Sequence, residues 1–256
     1  MSKAGACLWE VRKATPGTAR ETLLVLPHAG GSAQNYAAWA DWFPDDLRIL
    51  AAQYPGRASR AREPAQADLH RIVDELLDAL DGHQGPLHVF GHSMGSYVGF
   101  ELCWRRQLAG RPPAVLFASG AVPPHRLQPY PAPGVEISDE HLMELMDTCN
   151  GIPDAILDSP DLMGLALETL RADLELVNNY SYGEPGRRLR IPIVAFGGDR
   201  DALVPGAEID HWHELSAAKC ASHLIPGEHF YYHGDMATFA ATVSTYLASI
   251  NGERKE

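Results

Sequence analysis

Residues 87–95 read Leu87-His-Val-Phe-Gly-His-Ser-Met-Gly95, and this segment is the strongest indication of the fold in the sequence. Its first four residues predict a buried β-strand, and the residues that follow it, to about Gln107, have a helical pattern. Between strand and helix the chain fits G-x-S-x-G, in which Ser93 lies on a sharp strand-to-helix turn. The glycines are needed because side chains two residues before and after the serine would collide with neighbouring backbone. The segment therefore predicts a serine nucleophile at the end of a strand.

Strands and helices are predicted to alternate along the rest of the chain. Apolar runs that predict strands lie at 22–27, 47–53, 114–119, 191–196 and 221–225, and helical patterns lie at 68–80 and 234–250. This alternation is typical of a mostly parallel central sheet covered by helices, and we expect one α/β domain over residues 1–256.

One stretch interrupts the alternation. No strand pattern lies between 114–119 and 191–196, whereas two helical patterns do, at 138–148 and 161–179. Because α/β sheets bind ligands at the ends of their strands, we expect an insertion of about residues 121–190 to form a helical lid that bounds the site and moves relative to the sheet.

Composition excludes several classes of function. The 256 residues include 33 acidic and 21 basic side chains, a formal net charge of −12, which argues against binding to nucleic acid. No apolar run is long enough to span a membrane, and the N-terminus has no apolar core of the signal-peptide kind. The four cysteines are scattered, without a C-x-x-C pair. We therefore expect a cytoplasmic protein with reduced thiols and no bound metal.

A serine nucleophile needs a base, and the base needs an acid that orients it. In this fold the acid and then the histidine follow late strands. The turn after the next-to-last predicted strand offers Asp199 and Asp201. Asp201 is the predicted acid because it fits G-x-x-D-x-x-V with Gly198 and Val204, while Asp199, the alternative, would face the amides of its own loop. His229 follows the last strand, 28 residues after Asp201 (229 − 201), and is the predicted base.

Two backbone amides are expected to bind the oxyanion of the tetrahedral intermediate. Met94 begins the helix after the serine, where amides have no helical partner and the dipole favours negative charge. The second donor should come from the glycine-rich loop at 28–31, in which Ala29 is the best-placed residue, although a glycine-rich turn there can also be a plain tight connection. The chemistry needs no metal or cofactor.

The chain resembles the stand-alone type II thioesterases that accompany polyketide synthases and nonribosomal peptide synthetases, within the α/β-hydrolase superfamily. The resemblance covers about residues 20–250, and one residue departs from it, because Glu228 precedes the late histidine where a glycine is frequent. It rests on Leu26-Pro-His-Ala-Gly-Gly31, Tyr54-Pro-Gly-Arg57, Gly91-His-Ser-Met-Gly95, Leu170-Arg-Ala-Asp173, Gly198-Asp-Arg-Asp-Ala-Leu-Val204 and Gly227-Glu-His229.

This resemblance implies an enzyme that removes stalled or wrong acyl groups from the phosphopantetheine arm of acyl and peptidyl carrier proteins, and we expect it to act as a monomer. A carboxylesterase or lipase with the same triad is the alternative enzyme. A non-catalytic partner of a synthase is the third reading, although such proteins typically lose a triad residue. Two arginine clusters are candidate docking patches for an acidic carrier, although such clusters are more often solvated surface. They are Arg57, Arg60 and Arg62, and Arg187, Arg188 and Arg190.

Overall fold

A computed structural model describes residues 7–12, 21–132, 134–149 and 158–253. Seven strands form one sheet in the order β1-β3-β2-β4-β5-β6-β7, in which β1 is antiparallel to β3 and all other neighbouring strands are parallel. The predicted α/β-hydrolase fold is confirmed. The strands are β1 (Leu8–Arg12), β2 (Glu21–Leu26), β3 (Leu47–Ala52), β4 (Leu87–His92), β5 (Val115–Ser119), β6 (Ile193–Gly198) and β7 (Cys220–Ile225).

Helices cover both faces of the sheet. They are α1 (Leu69–Ala79), α2 (Met94–Leu108), α3 (Asp139–Thr148), α4 (Pro160–Asn179), α5 (Gly206–Ile209), α6 (Tyr231–Gly234) and α7 (Met236–Glu253), and a 3₁₀ segment (Ala33–Asp41) follows β2. No helix within the described ranges is long and apolar enough to cross a membrane.

Strand β2 shows how the two layers of the core are built. Side chains alternate between the faces of a strand, so Leu24 and Leu26 pack in the layer that contains α1 and α2. Leu23 and Val25 point the other way, into the layer that contains the 3₁₀ segment and α7. Both layers are buried, which explains why the strands are near-continuous apolar runs rather than alternating ones.

The first strand is absent from the sequence-based prediction. β1 pairs with β3 in antiparallel register, Leu8 opposite Ala52, and Trp9 remains 39% exposed. Its sequence, Leu-Trp-Glu-Val-Arg, is only partly buried at the edge of the sheet. The strand forms because β3 offers an unpaired edge, which no local pattern shows.

The two helices predicted between β5 and β6 are present as α3 and α4. They pack against each other through Leu142, Leu145, Leu167 and Leu170, and the same cluster reaches Ala29 in the loop after β2. The insertion therefore lies over the ends of the strands, against the loop that was predicted to bind the oxyanion.

Candidate active site

Ser93 lies on a strained turn between β4 and α2. Its φ of 52° is in the left-handed region that residues with side chains rarely adopt. A Cβ on Gly91 would lie 2.1 Å from the carbonyl oxygen of Gly95, and one on Gly95 would lie 2.0 Å from that of Leu26. Both positions thus require glycine. Ser93 is half-buried among buried neighbours, so the turn presents this side chain toward the cavity.

His229 and Asp201 form a buried hydrogen-bonded pair. The His229 Nδ1 atom is 2.8 Å from Asp201 Oδ2, and the two residues are 4% and 8% exposed. A carboxylate can only accept, so Nδ1 carries the proton and Nε2 is left as an acceptor. The other carboxylate oxygen, Oδ1, accepts from the amides of Leu203 at 2.9 Å and Val204 at 3.2 Å. Asp201 is therefore held by its own loop while it orients the imidazole.

Asp199 holds the loop that carries His229 rather than contacting the imidazole. Its Oδ1 accepts from the amide of Gly227 at 2.8 Å, in the loop that carries His229. The expectation that Asp199 faces the amides of its own loop is wrong, and the reason is that β6 and β7 are parallel neighbours whose exit loops meet. Gly198 permits this approach, because a Cβ there would lie 2.2 Å from the carbonyl oxygen of Glu228.

Of the two predicted oxyanion donors, one directly follows the serine in the chain and the other lines the same cavity. Met94 is the first residue of α2, where the helix itself provides no acceptor for its amide. Ala29 lies in the loop after β2 and lines the same cavity as Ser93 and His229. The dipole of α2 adds to the positive potential at the elbow.

The cavity joins this polar site to an apolar chamber. It has a volume of about 300 Å³. Its lining includes Ser93 and His229, with further polar groups on Asn35 and Tyr130, and much of the rest is formed by apolar side chains of the insertion and of the late loops. These are Leu145, Met146, Cys149, Leu170, Leu174, Leu203 and Phe230. Such a shape can hold an aliphatic chain whose carbonyl end meets the serine. Within the described ranges, no group of three or more His, Cys, Asp or Glu side chains could hold a metal ion.

Two further histidines, His92 and His28, lie near His229. The sequence did not predict that the three rings would come together. The His92 ring is 4.9 Å from the His229 ring, and His92 Nδ1 bonds Ser119 Oγ at 2.8 Å. Burial lowers the pKa of His92 well below its usual value and that of His28 to about 3. Both remain neutral at physiological pH, so neither places a second positive charge beside a protonated His229.

Burial of these neutral histidines predicts a loss of stability in acid. Above pH 6.5 the unfolded chain is also neutral at these positions, so the full stability is present. Below pH 6.5 these histidines bind protons in the unfolded chain but not in the folded one. The free energy of unfolding therefore decreases as the pH falls, until the pH reaches the lower pKa of the folded state. We expect each residue to cost about 2 kcal/mol of unfolding free energy between pH 7 and pH 5.

Denaturant unfolding of His92→Asn at these two pH values tests this expectation. The Asn side chain can keep the contact to Ser119 but cannot titrate, so its pH-dependent loss should be smaller than that of the wild type by about 2 kcal/mol. His213→Asn, at an exposed position, is the control and should match the wild type. An unchanged slope in His92→Asn would show that His92 protonates equally in both states.

The arginine clusters are mostly not docking surface. Arg57 and Arg60 are buried, 7% and 6% exposed; Arg57 pairs with the buried Asp173, and Arg60 pairs with Glu63 and Glu75 at the surface. Arg187 is ion-paired to the buried Glu101 at 2.7 Å. Those three assignments are wrong because each guanidinium is largely buried and already paired with a carboxylate of the same chain. Exposed arginines remain at Arg62, Arg188 and Arg190.

Comparison with known proteins shows the family. The family model described as "Thioesterase domain" matches residues 21–249. The gramicidin S biosynthesis protein GrsT of Aneurinibacillus migulanus is 30% identical over 87% of both chains. A protein of Brevibacillus parabrevis named linear gramicidin dehydrogenase LgrE is 31% identical over 95% of both. The solved structure of BorB, a type II thioesterase from the borrelidin biosynthetic cluster, superposes with a TM-score of 0.83 at 31% identity, covering 94% of this chain and 98% of that one.

These matches span the sheet, the elbow and the insertion together. The name of the Brevibacillus relative describes a dehydrogenase, whereas the family model and the BorB structure both describe thioesterases. The serine elbow and the His229–Asp201 pair are what acyl transfer through a serine requires. The chain therefore belongs to the thioesterase family and is an enzyme of the α/β-hydrolase fold.

Proposed function

We propose that this protein is a type II thioesterase that hydrolyses stalled or aberrant acyl groups from the phosphopantetheine arm of carrier proteins in polyketide or nonribosomal peptide synthesis. The observation that carries the proposal is the cavity of about 300 Å³, which Ser93 and His229 line together with many apolar side chains. The similarity to GrsT and BorB over nearly their whole lengths supports it. Action as a cytoplasmic monomer is part of the same proposal and rests on the sequence alone.

The proposed reaction has two halves. In the first, Ser93 Oγ attacks the thioester carbonyl while His229 Nε2 takes the hydroxyl proton. The amides of Ala29 and Met94 stabilise the oxyanion, and collapse of the intermediate breaks the carbon–sulfur bond. The proton on His229 passes to the leaving thiolate, which departs as the free pantetheine thiol. In the second half, His229 takes a proton from water and the water oxygen attacks the acyl-serine carbonyl. Collapse then breaks the serine ester bond, the proton returns to Ser93 Oγ, and the free carboxylic acid leaves.

Two approaches to Ser93 suit the two ends of such a substrate. The apolar chamber under α3 and α4 would take the acyl chain. A second cavity reaches the same Ser93 and His229 from the side of the loop after β5, and its wall includes the polar side chains of His125, Arg126 and Gln128. We assign the pantetheine arm to this second cavity, because an amide-rich arm needs hydrogen-bonding partners and His125, Arg126 and Gln128 can supply them.

Mass spectrometry of intact carrier proteins tests the proposal. A panel of carriers loaded with different acyl groups is incubated with the enzyme, and the mass of each carrier is followed. We expect loss of the acyl mass with the pantetheine arm left in place, and no loss with Ser93→Ala protein. The same acyl groups as small thioesters and as matched oxygen esters are measured in parallel. Rapid turnover of the oxygen esters together with intact loaded carriers would contradict the proposal and indicate a carboxylesterase.

A further inference from the structure

Hydrogen bonds from outside the loop after β2 fix the backbone on both sides of Ala29. The Tyr54 hydroxyl donates to the carbonyl oxygen of Pro27 at 3.3 Å. The amide of Gly30 donates to Asp173 Oδ2 at 2.8 Å. These contacts hold the peptide units directly before and after the unit that contains the amide of Ala29. The direction of that amide is therefore set from both sides.

The middle peptide unit is held as well. The amide of Gly31 donates to the carbonyl oxygen of His28, which belongs to the same peptide unit as the Ala29 amide, at 3.0 Å. The carbonyl oxygen of Gly31 accepts in turn from Arg57 Nη1 at 3.3 Å. Each peptide unit of the loop thus has a fixed partner, which is the arrangement that a preorganised oxyanion donor needs.

Asp173 and Arg57 are a buried ion pair that meets at this loop. Arg57 Nη2 donates to Asp173 Oδ1 at 2.6 Å, and Arg57 Nη1 donates to Oδ2, the oxygen that also accepts from Gly30. The side chains are 7% and 2% exposed. Burying two charges is costly, and a well-packed apolar pair is often as stable. Stability alone therefore does not explain why a charged pair is buried here. The need for a fixed carboxylate acceptor for the Gly30 amide does explain it.

Asp173 comes from α4 of the insertion, whereas Arg57 follows β3. Helix α4 is also anchored at its C-terminal end, where the Tyr180 hydroxyl donates to the buried Glu101 of α2 at 2.7 Å. The helix is thus tied to the sheet domain at two places, and its position determines where the Asp173 carboxylate meets the loop. The expected movement of the insertion relative to the sheet stays a prediction.

We propose that Asp173, held by Arg57, is a positioning residue that aims the Ala29 amide at the oxyanion. Helix α4 then belongs to the oxyanion site as well as to the wall of the acyl chamber. The inference rests on the proposed function only through the serine mechanism in which Ala29 is a donor. It requires nothing about which acyl group or which carrier the enzyme uses.

Two double variants separate the acceptor from the charges. Arg57→Met with Asp173→Leu removes the acceptor and leaves no unpaired charge. Arg57→Gln with Asp173→Asn removes the charges but keeps an oxygen that can accept from Gly30. With a small acyl thioester, we expect the first variant to lose about 10²-fold in kcat with little change in KM, as on loss of an oxyanion donor. The second variant should stay within about threefold of the wild-type kcat.

Single Asp173→Asn provides a second test that does not depend on the apolar pair folding. The charged Arg57 should donate to the one amide oxygen of the Asn. The Asn amino group would then face the Gly30 amide, and these two donors cannot form a hydrogen bond with each other. We expect kcat to fall about tenfold and to recover when Arg57→Gln is added. The control is Glu10→Gln with Arg48→Gln, which removes an ion pair between β1 and β3 away from this loop and should keep the wild-type kcat.

Binding of a trifluoromethyl ketone, which forms a tetrahedral oxyanion on the serine, gives a readout that a purely structural role would not move. Its inhibition constant should rise by the same factor as kcat falls. Wild-type kcat and ketone affinity in the variant with Arg57→Met and Asp173→Leu would overturn the inference. Equal losses of kcat in the two double variants would overturn it too, as would a failure of Arg57→Gln to restore the kcat of Asp173→Asn. A wild-type enzyme that binds the ketone but empties no carrier would refute the proposed function alone.

Discussion

Ser93→Ala is expected to reduce turnover about 10⁴-fold or more while the protein stays folded. The mechanism assigns the covalent bond to this hydroxyl, and its removal leaves only the binding and oxyanion contributions. Alanine also has a Cβ, so the strain of the φ of 52° at this position is the same in both proteins. Steady-state hydrolysis of an acyl thioester and thermal unfolding measure the two halves of this expectation.

Ser181→Ala is a suitable control for this experiment. Ser181 is exposed and lies outside both cavities that reach Ser93. Its replacement should leave turnover at the wild-type level. Turnover of Ser93→Ala at a rate similar to that of the wild type would exclude the serine mechanism. A loss of cooperative unfolding would instead show that the elbow had collapsed.

Asp201→Asn is the second change with a large expected effect, up to about 10⁴-fold in turnover. The carboxylate accepts from His229 Nδ1 at 2.8 Å and so keeps Nε2 free to take the serine proton. An Asn amino group at this place would donate to Nδ1 and favour the tautomer with the proton on Nε2. That imidazole cannot act as the base, although its position is nearly unchanged.

Asp199→Asn is the matched control, two residues away in the same turn. Its side-chain oxygen can still accept from the amide of Gly227, so the loop of His229 should stay in place. We expect turnover within about threefold of the wild type and a modest loss of stability. The reverse outcome, an inactive Asp199→Asn and an active Asp201→Asn, would show that the acid has been assigned to the wrong residue.

Much of the fold was predictable because its strands are buried on both faces. Runs such as residues 23–27 and 191–196 are apolar throughout, and helical periodicity marks α1 and α4. Strand β1 was not predictable, because its partner β3 lies about forty residues away in the sequence and its own pattern is weak. Local sequence carries no information about which edge of a sheet is unoccupied.

Part of the site was predictable for a related reason. The fold places residues that follow late strands at one edge of the sheet, so chain order alone brought Asp201 and His229 into consideration. The pair of Arg57 and Asp173 lies outside that rule, since the two residues are 116 positions apart and one of them lies in the insertion. A charged residue within a helical pattern is usually solvated, and only the structure shows that Asp173 is 1% exposed.

In the proposed mechanism the acyl group passes from the carrier arm to Ser93. The most direct measurement is acid quenching of the enzyme with an acyl-loaded carrier during the first turnover, followed by mass spectrometry of proteolytic peptides. We expect the acyl mass on the peptide that contains Ser93, rising and then disappearing as the carrier is emptied. Cys149 lines the same chamber, but burial raises the pKa of its thiol to about 12, so it should carry no label. Acyl mass on Cys149 or on any residue other than Ser93 would contradict the account.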